Sequence, residues 1–207
     1  MAKQIILLGS GGHAMSCMNI VDSLGYSLTL GGKPQISDFV KDTRLLDKEQ
    51  WDNLCKKFPL FILGVGQIHS PQNRIDIVKE IESRACSFIP LIAPDASVSV
   101  DATIGNGVFI GHKCVINLNV SVGEYAILNT SCILEHESSV GNFCHISTGA
   151  VINGQARIGN RVFVGSNAVV LQQVHVCDDV TIGAGSVVIN DIKEKGIYVG
   201  NPARKIR

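Results

Sequence analysis

The chain has 207 residues, 45% of them hydrophobic, with 18 lysines and arginines against 18 aspartates and glutamates. That length allows one or two domains with a buried core, and the zero formal net charge excludes wholesale attraction to nucleic acid or to an anionic membrane. Seven cysteines, an odd number with no C-x-x-C pair, support neither a disulfide framework nor a structural zinc site.

The apolar run after Met1-Ala2-Lys3-Gln4 stops at Gly9, too short for the apolar region of a signal peptide or for a membrane span. A soluble, cytoplasmic protein is expected. Residues 3 to 8 read as a buried strand, Gly9-Ser10-Gly11-Gly12-His13-Ala14 as a tight turn, and Ala14 to Leu24 as a helix. Strand, glycine-rich turn and helix together are the setting in which backbone N–H groups hold nucleotide phosphates, although a tight turn alone also explains the glycines. A second strand is expected at Ser27 to Leu30, a helix at Asp47 to Phe58, a third strand at Leu60 to Val65 and a helix from Pro71 to Arg84. This alternation predicts a parallel βαβαβ domain, half a Rossmann unit, over residues 1–88. No acidic residue stands about twenty beyond the glycines to grip a ribose, so NAD is discounted.

A short proline-stiffened join, Phe88-Ile89-Pro90-Leu91-Ile92-Ala93-Pro94, leads into a second unit over residues 89–207 and predicts a fixed relation between the two. Read in sixes from Ile92, every first position is aliphatic, through Ile104, Ile116, Leu128, Leu134, Val140, Ile152 and Val164 to Val188. Fifth positions hold small or β-branched residues such as Ala96, Cys114, Cys132 and Ala150, and second positions are often glycine, as at Gly105, Gly123, Gly141, Gly159, Gly165 and Gly183. A six-residue period marks a parallel β-helix, here expected to be left-handed, with first and fifth residues inward and glycine supplying φ > 0 or close approach at the corners. Residues eighteen apart then stack about 4.8 Å from one another, so Cys114 and Cys132 should meet inside the prism. Flat outer faces make a homotrimer the expected assembly. After Lys193 the tail carries Lys195, Arg204, Lys205 and Arg207, the main countercharge for a polyphosphate near the end of the prism.

Most corners are Gly, Asn, Asp or Ser, but Leu134-Glu135-His136-Glu137 puts an imidazole between two carboxylates. A corner residue adds nothing to the interior, so His136 is either a solvated surface histidine or a working one. The eighteen-residue stacking places Gly154 one coil above it, with His145 on the next side and Asn129 at the corner before. A base, a second polar ring, an amide and a bare backbone donor, all read as lying around one corner, are the parts needed for acyl transfer.

The hexapeptide prism, the opening Gly-Ser-Gly-Gly-His, the run from Asn129 to Glu137 and the closing Gly200-Asn201-Pro202-Ala203-Arg204 resemble the sialic acid O-acetyltransferase (NeuD) family. Within it, the likeness is to bacterial N-acetyltransferases that act on a 4-amino-4,6-dideoxy sugar carried on UDP or GDP during surface glycan synthesis. The resemblance spans essentially the whole chain and implies acetyl-CoA as co-substrate, a nucleotide-sugar partner and no metal. It implies His136 as general base, Glu137 to orient it, Asn129 near the sugar amine, and His145 with the Gly154 N–H on the thioester carbonyl. Acetyl-CoA would lie between adjacent prisms past Gly165, Ser166, Gly183 and Ala184, with its phosphates at Asn201, Pro202 and Arg204. Gly11, Gly12 and His13 would hold the nucleotide-sugar phosphates, with Lys33 a further contact. Members commonly end the second strand with paired aspartates that meet the base; here it reads Leu30-Gly31-Gly32-Lys33-Pro34, and the base is left unassigned.

Three alternatives stand beside this reading. One is O-acetylation of a sialic-acid-like sugar by the same corner, and another is a non-catalytic nucleotide-sugar-binding scaffold. The third is a metal enzyme of the γ-carbonic anhydrase kind, which needs three converging imidazoles; the offsets among His112, His136, His145 and His175 do not bring three together.

Overall fold

The computed structural model describes residues 5–24, 47–57, 60–68, 70–84 and 86–207. The expected strand at Ser27 to Leu30 and Lys33 lie outside these residues. Strands β1 (Ile5–Leu8), β2 (Leu60–Leu63) and β3 (Ser87–Phe88) form a parallel sheet in that order, with helices α1 (Gly12–Ser23), α2 (Lys48–Lys57) and α3 (Gln72–Glu82) around it. β3 falls where only an extended join was expected; two residues after Cys86 suffice to pair with Leu60 and Phe61.

From Leu91 onward two-residue strands repeat every six residues and stack eighteen apart into three parallel sheets. Leu128 pairs with Ile110 and Ile146, and Leu134 with Ile116 and Ile152. First and fifth positions fill the interior as the period requires. Leu128, Cys132, Leu134, Ile146, Ala150 and Ile152 are all 0% exposed, and each buried aliphatic side chain stabilises the fold by about 1.5–3 kcal/mol. Cys114 and Cys132 meet at 3.6 Å between sulfurs.

Of the two roles expected of the corner glycines, the structure selects one. Left-handed φ falls at the fourth position of every six from Gly107 to Gly185, including Lys113, Tyr125, Ser131, Glu137, Gln155 and Gln173, all near +60°. The second-position glycines serve close approach instead. A Cβ on Gly105, Gly123, Gly141 or Gly165 would lie 2.4–2.8 Å from the backbone or a corner side chain of the next coil.

The three outer faces differ. One begins with Leu91, Phe109 and Ile127, and these pack against Leu7, Ala14, Cys17, Ile20 and Ile62 of the α/β part. Tyr125 and Phe143, stacked at 4.9 Å between rings, continue the junction against Phe88 and Phe61. A second face carries Val115, Ile133, Val151, Val169 and Val187, partly exposed and apolar. The third is polar, with Ser121, Ser139, Arg157 and His175. Gly196–Val199 and Arg204–Lys205 form a hairpin that extends the first sheet beyond Val180–Ile182. Among the described residues no helix is long and apolar enough to cross a membrane.

Candidate active site

His136 stands at the corner between the apolar and polar faces. Its Nδ1–H donates to Glu137 Oε2 at 3.2 Å, and that carboxylate also accepts from Gln155 Nε2 at 3.1 Å, while Gln155 Oε1 accepts from Gln173 Nε2 at 2.8 Å. The Gln155 bond first, and His136 second, hold the Glu137 carboxyl below the usual range. With Nδ1 committed to a carboxylate, the neutral ring keeps its lone pair on Nε2.

Nε2 lies over Gly154. A Cβ there would stand 2.6 Å from Nε2, and its three nearest atoms all belong to that ring, whereas a Cβ on Gly105 or Gly165 would meet the backbone of the next coil first. Glycine at 154 leaves room for the imidazole in its present place. A cleft of about 450 Å³ lies over this corner, lined by Glu135, His136, Asn153, Gly154 and Gln172 among others. The left-handed φ of Glu137 (59°) is shared by the equivalent position of every six from Gly107 to Gly185 and is no mark of function.

Asn129 and His145 are not at this corner. Asn129 follows the strand Ile127–Leu128, one side earlier than the strand Ile133–Leu134 that leads to His136, so the two residues occupy consecutive corners. The expectation of one cluster around a single corner of one chain is corrected accordingly. At the Asn129 corner the amide Nδ2 donates to His145 Nε2 at 3.4 Å, and the His145 Nδ1–H donates to the Gln67 carbonyl at 2.5 Å. Gly165, Ser166, Gly183 and Ala184 stack above Asn129, with Ser166 Oγ 3.0 Å from Ser147 Oγ. Gly165 and Gly183 are explained by packing, since a Cβ would strike Ala184 N at 2.4 Å or Val199 Cγ1 at 2.7 Å. Asn201, Pro202 and Arg204 sit in the tail hairpin. Its Lys205 is paired with Glu194, while Arg204 makes no ion pair among the described residues.

Gly11 is the N-cap of α1 and Gly12 its first residue, with no side-chain cap and no acidic residue in the first turn. A Cβ on either would meet nothing within 4 Å, so packing does not explain these glycines, and the free N–H groups of a helix start suit an anion. His13 behaves otherwise. Burial, then the charge of Arg74, pulls its ring down to about 3, and it packs edge-on against Phe109 at 4.6 Å. A neutral, wedged imidazole brings no charge to a phosphate.

Sequence reasoning missed Gln67, Arg74 and Gln155. Gln67 follows Gly64-Val65-Gly66 at the carboxyl end of β2, where open parallel sheets bind ligands; that glycine pair was the available signal. Among the described residues no group of three or more His, Cys, Asp or Glu is placed to hold a metal. His112 is instead engaged by Asp95 at 2.6 Å and by Asn19 at 2.8 Å.

Two-residue strands in three stacked parallel sheets, with an α/β unit against one face, define the class as a left-handed β-helix of hexapeptide repeats. The chain belongs to the GMPPB C-terminal domain family, whose profile matches residues 90–198, just over half of its length. No curated protein matches the sequence. Among solved structures, the chain is similar to the acetyltransferase domain of PglB from Neisseria gonorrhoeae FA1090, at 29% identity, TM-score 0.83, and coverage of 99% of this chain and 100% of that one. It is similar in fold to a mutant perosamine N-acetyltransferase from Caulobacter crescentus in complex with CoA and GDP-perosamine, at 23% identity, TM-score 0.87, and coverage of 99% and 97%. WeeI from Acinetobacter baumannii AYE shares the fold at 18% identity, TM-score 0.82, and coverage of 99% and 100%.

Proposed function

We propose that this protein is an acetyl-CoA-dependent N-acetyltransferase acting on the amino group of a UDP- or GDP-linked 4-amino-4,6-dideoxy sugar in bacterial surface glycan synthesis. The observation that carries the reading is the His136 corner: one ring nitrogen bound to a carboxylate, the other over a glycine on which any Cβ would meet that ring first. The likeness to the PglB acetyltransferase domain, also described in complex with acetyl-CoA at 28% identity over the full length of both chains, supports the donor and the reaction class. The motifs shared with the NeuD family support an activated sugar as acceptor.

In this reading residues 1–88 hold the nucleotide sugar, with its phosphates against the Gly11–Gly12 helix start, and residues 89–207 hold the acyl donor. The sugar nitrogen attacks the thioester carbonyl. His136 Nε2 takes the amine proton, and Glu137 stabilises the resulting imidazolium. The Gly154 N–H, which donates to no protein group among the described residues, is placed to receive the developing oxyanion. As the carbon–sulfur bond breaks, the imidazolium returns its proton to the departing thiolate, giving amide and free CoA.

The two halves of the site lie on consecutive corners, flanking the apolar face of Ile133, Val151 and Val169. Three copies with that face turned to a common axis bury it and bring the His136 corner of one against the Asn129–His145 corner of the next. The donor would lie in that seam beside Ser166 and Ala184, its phosphates toward Asn201, Pro202 and Arg204.

Thiol release from acetyl-CoA tests the reading, using UDP- and GDP-linked 4-amino-4,6-dideoxyhexoses beside hydroxylated nonulosonic acids. Acetylation of an amino sugar with kcat/KM at least about 100-fold above any hydroxylated acceptor is expected. Preference for a hydroxyl acceptor would replace N- with O-acetylation, and no thiol release with any of them would end the assignment.

A further inference from the structure

The imidazole of His145 is held from both sides, and both contacts demand the same tautomer. Its Nδ1 faces the main-chain carbonyl of Gln67 at 2.5 Å, which can only accept. Its Nε2 faces Asn129 Nδ2 at 3.4 Å, and the orientation of that amide is independently set, because Asn129 Oδ1 accepts from the Thr130 N–H at 2.8 Å. The NH₂ end is therefore the one turned to the ring, and it can only donate. His145 thus carries its proton on Nδ1 and a lone pair on Nε2. Burial, with the nearby charge of Arg74, also disfavours a second proton, against the opposing pull of the Gln67 carbonyl.

The carbonyl that sets this state is anchored across the junction between the α/β part and the prism. Gln67 is 3% exposed and its Nε2 donates to the Phe143 carbonyl at 2.8 Å. Arg74, 1% exposed, donates to the Val65 carbonyl two residues before Gln67 and to the Tyr125 carbonyl of the prism at 2.7 Å. Burial pulls its guanidinium down to about 10, still charged at neutral pH, and it makes no ion pair among the described residues. A buried cation retained without a carboxylate is costly, and here it ties the loop before α3 to the prism.

We propose that Gln67 and Arg74 are positioning residues that lock His145 as the Nδ1–H tautomer, so that its Nε2 accepts a hydrogen bond from the substrate's amino group, in place of the long 3.4 Å one from Asn129, rather than donating one to the acyl carbonyl. The substrate half of this statement rests on the amino-sugar reading above; the tautomer does not. It reverses the role that the family resemblance assigns to His145 and leaves the Gly154 N–H as the oxyanion donor. An acceptor beside the amine orients its lone pair toward the thioester, a contact whose value lies in geometry.

Histidine side-chain ¹⁵N–¹H correlation spectra of the full-length protein test this, with His145→Gln identifying one of the six histidines. The expected pattern is a protonated Nδ1 and a bare Nε2, both in the free protein and with acetyl-CoA. The Nε2 signal should move when a UDP- or GDP-linked 4-amino-4,6-dideoxyhexose is added with CoA. A proton on Nε2 in either of the first two states overturns the proposal. In Gln67→Ala the two tautomers should exchange and kcat should fall about tenfold with the KM for acetyl-CoA unchanged; a retained single Nδ1–H tautomer would remove Gln67 from the role. Should that variant not fold, the wild-type spectra still decide. If the tautomer is found as stated but no amino sugar is acetylated, the functional reading falls and the lock stands.

Discussion

Replacing His136 with alanine is expected to lower kcat by about 10²–10⁴-fold, the range for removing a general base, while the protein stays folded. The side chain is 59% exposed and belongs to none of the hydrophobic clusters, so its loss opens no cavity. What disappears is the acceptor at Nε2 and, with it, the means by which Glu137 acts on the reaction. Because proton removal matters only in the transition state, kcat and kcat/KM should fall together, with little change in the KM for acetyl-CoA. Initial rates of thiol release and a melting curve on the same preparation check both halves. A variant with near-wild-type kcat would remove His136 from the chemistry, and one that melts early would show that the corner carries structure.

Leu134→Ala should have the opposite profile, costing about 2–5 kcal/mol of stability with little effect on chemistry in the folded fraction. Leu134 is 0% exposed and stacks between Ile116 and Ile152, two residues before His136. Coils this narrow bury a core only by stacking, so a hole in one coil weakens its contacts with both neighbours. The shift of the urea midpoint measures it. A change below about 1 kcal/mol would mean that the prism collapses around the gap more freely than a close-packed interior does.

The contrast between these two positions reflects what the sequence displays. Inward residues repeat because the interior is the same at every coil, so the register from Ile92 to Val188 and the meeting of Cys114 with Cys132 were legible from spacing alone. The turn geometry was less so. Glycines at second positions read as sites of positive φ or of close approach; the positive angle falls two residues later on Lys113, Asn119 and Glu137, and the glycines make the close approach to the coil above. Spacing also set Asn129 on the corner before His136, where it stands; what spacing did not show is that one chain cannot gather the two around a single corner. His13 reads as a phosphate ligand because it follows the glycines; that its ring packs against Phe109 and that burial, then the charge of Arg74, pulls its pKa down come from residues distant in sequence. Arg74 carries no local pattern and Gln67 only the Gly64-Val65-Gly66 run before it; both bond main-chain carbonyls, at Tyr125 and Phe143, that no spacing rule connects to them.

A site assembled from neighbouring copies can be tested by mixing two defective chains. His136→Ala and Asn129→Ala proteins, each weakly active alone, are dissociated together and allowed to reassemble. Where a chain with intact His136 meets one with intact Asn129, a complete site is rebuilt, and random assortment restores about a quarter of wild-type activity. If both residues instead served one chain's own site, every mixed assembly would lack one of them, and activity no higher than that of the two parents would contradict the shared seam.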